Sequence, residues 1–436
     1  MTRAFGFLLL AFTLTGCGAG DTLKQLWEIS REFPDVNLLI LLDLNEDGSK
    51  VPEYTLPPLL RTVGGDPIGS AEQWEQNRPA LLSQFSEHIY GVTPTVELPV
   101  TSRVVESSDL ALDGRAIRQQ VELNLAGEKI HVLMYTPAKA QVPVPAFLAL
   151  NFRGNHTIGD DPAVLLPESW VPMDEEHGVM SHAATDANRG QRSSRYPLET
   201  IIDRGYGFVT AYYGDFYADH RDGNLAGIYK QLEIPGQQSA WGAVGVWAWG
   251  LSRILDYLET DERVDASRIV ALGHSRLGKA ALWAGAQDQR FFAVISNNSG
   301  AVGAAISRRR FGETVKLITA FYPHWFTESF EDYAGLEDSL PVDQHQLIAL
   351  IAPRPVYVAS ASKDHWADPR GEFLATAEAA RVYQLYGIDT DEFVESPSPG
   401  GAISGSVSYH LREGGHDMVA FGWAHFLDFL DMHAQK

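Results

Sequence analysis

Apolar residues recur every three to four positions over residues 71–89 and stop at Tyr90-Gly91, the spacing and stop signal of an amphipathic helix. From Val100 onward the period shortens to two, and residues 115–125 and 130–135 alternate as antiparallel strands do. Beyond them come short continuous apolar runs at 144–151, 207–213, 268–272, 292–297 and 355–361, the signature of strands covered on both faces. Several of these runs are separated by helical segments, clearest at 242–260 and 375–386, and a last helix is predicted over 420–431. This order predicts an α/β fold, a three-layer αβα sandwich with a mostly parallel central sheet and an antiparallel edge. A stretch rich in Ser, Pro and Gly at 396–404 reads as a mobile loop, and no internal repeat is found.

One strand-to-helix junction carries a candidate nucleophile. The run ending at Leu272 and the helix formers over 279–286 are joined by Gly273-His274-Ser275-Arg276-Leu277-Gly278-Lys279. Small residues flanking a serine allow the tight turn that lifts its hydroxyl clear of a sheet. A strict G-x-S-x-G would place glycine where Leu277 stands, so an ordinary βα turn with Ser275 as helix cap is the competing reading. A serine hydroxyl also needs a base to take its proton and a third group to orient that base. In the αβ-hydrolase arrangement, which this alternation fits, the order along the chain is serine, acid, histidine. Asp364, after the run at 355–361, and His416, in Gly414-Gly415-His416 before the last helix, supply that order on loops. On pattern alone alternatives stay open: Asp368 for the acid, with helix capping as its other role, and His274, His324, His345, His365 or His410 for the base.

Composition narrows the remainder. Of 436 residues, 45% are apolar and 11% aromatic, enough for a sizeable core, so one large domain with insertions is expected. A formal charge of −22 argues against nucleic acid or an anionic bilayer as a partner through a broad basic face. The first residues are of another kind. Arg3, an apolar stretch over 4–14 and Leu14-Thr15-Gly16-Cys17 read as an export signal whose end resembles the lipobox of bacterial lipoproteins. Cys17, the chain's one cysteine, is then the lipidated first residue of the mature protein; an ordinary secretory signal with an incidental cysteine is the alternative. Either way export is expected, to the outer membrane, periplasm or cell surface, with membrane contact only through the lipid. The expected organisation is residues 1–16 as signal peptide, 17–53 as tether and 54–436 as catalytic domain. Within the tether, Asp43-Leu44-Asn45-Glu46-Asp47-Gly48 imitates the first half of a calcium loop, but Tyr54 stands where the bidentate glutamate belongs, and a polar turn is favoured.

Several motifs together resemble the glucuronoyl esterases of carbohydrate esterase family 15, especially the bacterial members. They are Gly273-His274-Ser275-Arg276-Leu277-Gly278-Lys279, Asn297-Asn298-Ser299-Gly300, Arg309-Arg310-Phe311-Gly312-Glu313, Leu340-Pro341-Val342-Asp343-Gln344-His345, Ile351-Ala352-Pro353-Arg354-Pro355, Asp364-His365-Trp366-Ala367-Asp368-Pro369 and Gly415-His416. The family's elbow has arginine after the serine and glycine three residues on, which accounts for Leu277. The resemblance implies Ser275 as nucleophile, His416 as base and Asp364 as acid. Fungal members carry a glutamate at the position of Asn298, which cannot bear the charge, so the acid role falls to Asp364 as in bacterial relatives that use the later loop. It further implies that Arg276 serves the oxyanion with its backbone N–H and guanidinium, and that Lys279, Glu313 and Trp366 bind the uronic acid. The bland alternatives are a surface salt bridge for Lys279 and Glu313 and core packing for Trp366.

The expected activity is therefore hydrolysis of glucuronic or 4-O-methyl-glucuronic esters, as in the linkages between plant glucuronoxylan and lignin, by a monomer needing no cofactor or metal. An acetyl xylan esterase or general carboxylic ester hydrolase, and a non-catalytic carbohydrate-binding lipoprotein, are the other readings.

Overall fold

The computed structural model describes residue 33 and residues 35–94, 100–225, 227–232 and 241–434; the predicted signal peptide and Cys17 lie outside these. Ten strands are found among them: β1 (Thr101–Leu110), β2 (Ala116–Leu125), β3 (Glu128–Pro137), β4 (Val144–Asn151), β5 (Gly207–Tyr212), β6 (Val264–His274), β7 (Ala293–Asn297), β8 (Val356–Ala361), β9 (Gly401–Ile403) and β10 (Val407–Arg412). They join one sheet in the order β1-β2-β3-β5-β4-β6-β7-β8-β10-β9. Pairing is parallel from β5 through β4, β6, β7 and β8 to β10. It is antiparallel among β1, β2, β3 and β5 and between β10 and β9. The sheet is the mostly parallel one with an antiparallel edge that the periodicity predicts, β9 adds a second antiparallel edge that it does not, and the fold is the αβ-hydrolase arrangement.

The helices that matter for the site are α1 (Ala71–Phe85), α2 (Leu198–Asp203), α3 (Ala243–Leu258), α4 (Arg276–Gln287), α5 (Val315–Phe321), α6 (Gln344–Ala349), α7 (Pro369–Leu385) and α8 (Ala420–Ala434). β6 shows why its run is apolar without alternation. Ile269 and Ala271 enter the core shared with α3, α4 and α7, while Val270 and Leu272 enter the core shared with α2 and α8. Burying a valine, leucine or isoleucine in this way contributes about 1.5–3 kcal/mol. The parallel strand ends are thereby fixed from both faces, and their carboxyl-terminal loops can carry precise chemistry.

Two sequence expectations are corrected. The 396–404 stretch is not loop throughout, because Gly401–Ile403 pairs with β10 as a sheet-edge strand. The helix predicted over 375–386 begins earlier, at Pro369, where Asp368 caps it by accepting from Gly371 N at 3.0 Å.

The stretch resembling a calcium loop closes on itself as a polar turn. Asn45 Oδ1 accepts from Asp47 N, and Asp47 Oδ1 accepts from Ser49 N, both at 3.0 Å, while Asp43 pairs with Lys316. The Asn45 carbonyl accepts from Gly312 N at 2.7 Å, so this part of the expected tether lies against the body beside Glu313. Among the described residues no three His, Cys, Asp or Glu side chains are grouped to hold a metal, and no helix is long and apolar enough to cross a membrane.

Candidate active site

The junction of β6 and α4 is a strained elbow. Ser275 has φ 58° and ψ −131°, a conformation that side chains rarely adopt, and its side chain caps nothing, which removes the helix-cap reading. Its N–H donates to the Asn297 carbonyl at 2.9 Å, tying the elbow to the end of β7. Two glycines make the turn possible. A Cβ on Gly273 would sit 1.9 Å from the Leu277 carbonyl oxygen, and one on Gly278 would meet Ser299 Cβ at 2.9 Å. Position 277 has no such demand, and Leu277 is buried in the core instead. A serine held this way points its hydroxyl off the sheet, as a nucleophile must.

His416 lies on the loop between β10 and α8. Arg412 wraps that loop, its guanidinium donating to the carbonyls of Glu413 at 2.9 Å, Gly415 at 2.5 Å and Asp417 at 2.7 Å. His416 Nδ1 is 2.6 Å from Asp364 Oδ2, and Asp364 is buried on the loop after β8. A carboxylate accepts, so Nδ1 carries the proton and Nε2 is left as the basic nitrogen. Asn298 Nδ2 donates to the same Asp364 oxygen at 2.7 Å. The asparagine thus stands beside the acid as a neutral donor.

Four of the competing residues have other engagements. Asp368 pairs with Arg309 at 2.7 Å in addition to capping α7. His345 donates to the Pro57 carbonyl at 2.9 Å, and His410 lies 3.0 Å from the Tyr357 hydroxyl within the sheet. His274 packs its ring on His416 with centroids 4.6 Å apart and takes a hydrogen bond from Asn297 Nδ2 at 2.8 Å. Burial, with His416 next to it, holds His274 well below the usual histidine range, so it stays neutral.

Arg276, the first residue of α4, forms an ion pair with Asp219, and its guanidinium lies 4.5 Å from the ring centre of Trp325 and 5.0 Å from that of Tyr322. Burial works against both charges, but their mutual attraction outweighs it. Asp219 is held below the carboxylate range and Arg276 is raised, so both remain ionised. One turn on, Lys279 Nζ donates to the carbonyls of Ser299 at 2.7 Å and Ala301 at 2.5 Å and to Glu313 Oε2 at 2.9 Å. Trp366 Nε1 donates to Glu313 Oε1 at 3.1 Å. The Lys279–Glu313 salt bridge is buried, with side chains 3% and 6% exposed, so it is no surface pair. Trp366 is only half-buried, which sets it apart from core packing.

Ser275, Arg276, Lys279, Glu313, Trp366 and His416 all line one cleft of about 180 Å³, together with Asn298, Tyr322 and Trp325. Of the residues predicted from sequence only Asp364 is set back, behind His416. A serine at the cleft, an imidazole oriented by a carboxylate and a fixed cation are the parts of a serine acyl-transfer site. Sequence reasoning missed Asp219, Tyr322, Trp325 and Arg412. The first three lie in stretches with no motif, and Arg412 stands only four residues before His416 without any pattern that marks it.

A family model described as glucuronyl esterase, fungi, matches residues 199–387. The carbohydrate esterase MZ0003 of an unknown prokaryotic organism is 44% identical over 398 residues, 89% of this chain and 92% of that protein. A promiscuous CE15 esterase from a marine bacterial metagenome superposes with a TM-score of 0.82 at 43% identity, covering 89% of this chain and all of its own. The glucuronoyl esterase from Solibacter usitatus does so with a TM-score of 0.82 at 40% identity, covering 88% of this chain and 99% of its own.

Proposed function

Because the chain belongs to carbohydrate esterase family 15, the glucuronoyl esterases, we propose that it hydrolyses esters of glucuronic and 4-O-methyl-glucuronic acid, such as those joining glucuronoxylan to lignin, by acyl transfer at Ser275. His416 Nε2 takes the hydroxyl proton as Oγ bonds to the ester carbon, and the carbonyl π electrons move onto oxygen. The Arg276 backbone N–H and guanidinium stabilise that oxyanion, which collapses and breaks the bond to the alcohol. The departing alkoxide takes the proton from His416. A water deprotonated by His416 then attacks the acyl-enzyme, and the uronate leaves as the proton returns to Ser275. Asp364 keeps Nδ1 protonated throughout and stabilises the imidazolium between steps.

The observation that carries the reading is the meeting in one cleft of the strained Ser275 elbow and His416, whose Nδ1 lies 2.6 Å from Asp364. The Lys279–Glu313–Trp366 chain supports a uronate in the same cleft, with an indole face for the pyranose ring and a carboxylate for its hydroxyls. Ser275→Ala should abolish hydrolysis of methyl glucuronate. Wild-type turnover by that variant would remove Ser275 from the mechanism.

Breadth toward simple carboxylic esters is a second reading. It is favoured by the full engagement of all three Lys279 donors within the protein and by the promiscuity named for the marine metagenome relative. In location, the reading is an exported monomer anchored through acyl chains on Cys17, supported by the tetrad Leu14-Thr15-Gly16-Cys17. Intact-mass measurement of the exported protein checks this, and cleavage elsewhere without lipid would reject the anchor.

A further inference from the structure

Asp219 follows β5 at the back of the cleft, with its side chain 3% exposed, and takes no part in the acyl transfer described above. Four donors converge on it. Tyr213 Oη donates to Oδ2 at 2.9 Å, and Arg276 Nη1 donates to the same oxygen. On the other oxygen, Oδ1, His324 Nε2 donates at 2.8 Å and Trp325 Nε1 at 2.7 Å. The carboxylate is therefore clamped on one side by a histidine and an indole, and on the other it grips the arginine. The Trp325 and Tyr322 rings, stacked at 3.8 Å and 9°, complete the hold on the guanidinium.

Such a clamp matters because a donor stabilises a developing charge best when it is already in place and need not reorganise as the reaction proceeds. An arginine side chain has many rotamers, and an arginine on a helix's first turn at a cleft wall has room to leave. The ion pair removes that freedom while engaging Nη1. The hold is one-sided, because 24% of the Arg276 side chain stays exposed and the residue still lines the cleft.

We propose that Asp219 is the positioning residue of the oxyanion arginine, holding the Arg276 guanidinium where the tetrahedral oxyanion forms, with Tyr213, His324 and Trp325 fixing Asp219 in turn. The inference rests on the oxyanion role of Arg276 given above. The oxyanion is common to all esters, so the effect of losing Asp219 is independent of the acid portion of the substrate. That distinguishes it from a sugar-binding role.

The test is Asp219→Asn in the full chain, assayed on benzyl glucuronate and 4-nitrophenyl acetate, alone and combined with Arg276→Ala. Asparagine keeps an oxygen for His324 and Trp325 and loses the charge facing Arg276. The expected result is a fall in kcat of about 10–100-fold, equal for both esters, with the KM for benzyl glucuronate unchanged. In the Arg276→Ala background the same substitution should cost nothing further. An equal cost in both backgrounds, or a raised KM with kcat intact, overturns the inference while leaving the arginine's role standing. Wild-type kcat in Arg276→Ala alone overturns the arginine's role and the inference with it. Should Asp219→Asn fail to fold, Tyr213→Phe removes one donor from Oδ2. A several-fold loss of kcat on both esters that vanishes in the Arg276→Ala background supports the proposal, and a loss that persists there, or no loss at all, overturns it.

Discussion

Arg276 and Lys279 stand three residues apart at the start of the same helix and line the same cleft, yet their surroundings treat them in opposite ways. Lys279 is sealed, its side chain 3% exposed, and all three of its donors are taken by two carbonyls and Glu313. Arg276 keeps 24% of its side chain exposed and answers to one carboxylate and two rings. The lysine is a structural cross-link between α4, the turn after β7 and the segment carrying Glu313. A buried cation so fully satisfied shapes the wall that a sugar meets. A cation held by one face and open on another can answer a charge that comes and goes during a reaction.

Four substitutions sharpen or break this contrast. The largest loss should come from neither cation: Asp364→Asn disturbs the base, and by analogy with other serine triads kcat should fall roughly 10⁴-fold on every ester. Asn298→Ala, which removes only a neutral donor to the same oxygen, should cost far less, and equal losses would show that the acid is misassigned. Arg276→Ala should lower kcat by about 10²–10³-fold on uronate and acetate esters alike, and should also lower the melting temperature, because it leaves the buried Asp219 carboxylate without its cation. Lys279→Ala should separate the two esters instead. It leaves Glu313 Oε2 and the Ser299 and Ala301 carbonyls without their buried donor, a loss on the order of 3–5 kcal/mol in stability, and should weaken turnover of benzyl glucuronate far more than of 4-nitrophenyl acetate. If Lys279→Ala melts like the wild type, the cross-link is not what holds the wall.

A further effect is one of pH. Glu372, on α7, is fully buried and pushed up to about 8 by that burial. It accepts from the Gly300 N–H at 3.0 Å and from Ser360 Oγ at 2.5 Å, so it braces the turn whose carbonyls hold Lys279. A carboxyl raised above its ordinary value of 4.5 favours the folded state most at low pH, and that contribution is lost as the pH rises toward 8. Thermal melts from pH 5 to pH 8 should therefore fall more steeply for the wild type than for Glu372→Gln. Parallel curves would mean that Glu372 does not titrate in this window.

The parts of the site that were legible in the sequence are those whose chemistry is written locally. The elbow glycines flank Ser275, Asp364 follows a β-rich run, and His416 sits in a glycine turn before a helix, so spacing brings them forward as candidates, and the family resemblance chose them over Asp368 and the other histidines. Lys279, Glu313 and Trp366 emerged only through family resemblance, because the hydrogen bonds joining them span 34 and 53 residues. Asp219 was invisible for the same reason, its partners Arg276 and His324 lying 57 and 105 positions away. In the fold, β9 was hidden by its loop-like composition, since an edge strand of three residues needs only one paired side. The start of α7 was written in Asp368-Pro369, a cap followed by a first-turn proline.

The most direct test of the central claim is the rate of hydrolysis of benzyl glucuronate beside 4-nitrophenyl acetate, using protein that lacks residues 1–17. The account predicts a strong preference for the glucuronate, as expected of a serine esterase whose cleft is walled by Lys279, Glu313 and Trp366. Activity on acetate alone would contradict the substrate while keeping Ser275, and inactivity on both would contradict the reading of the site as a whole.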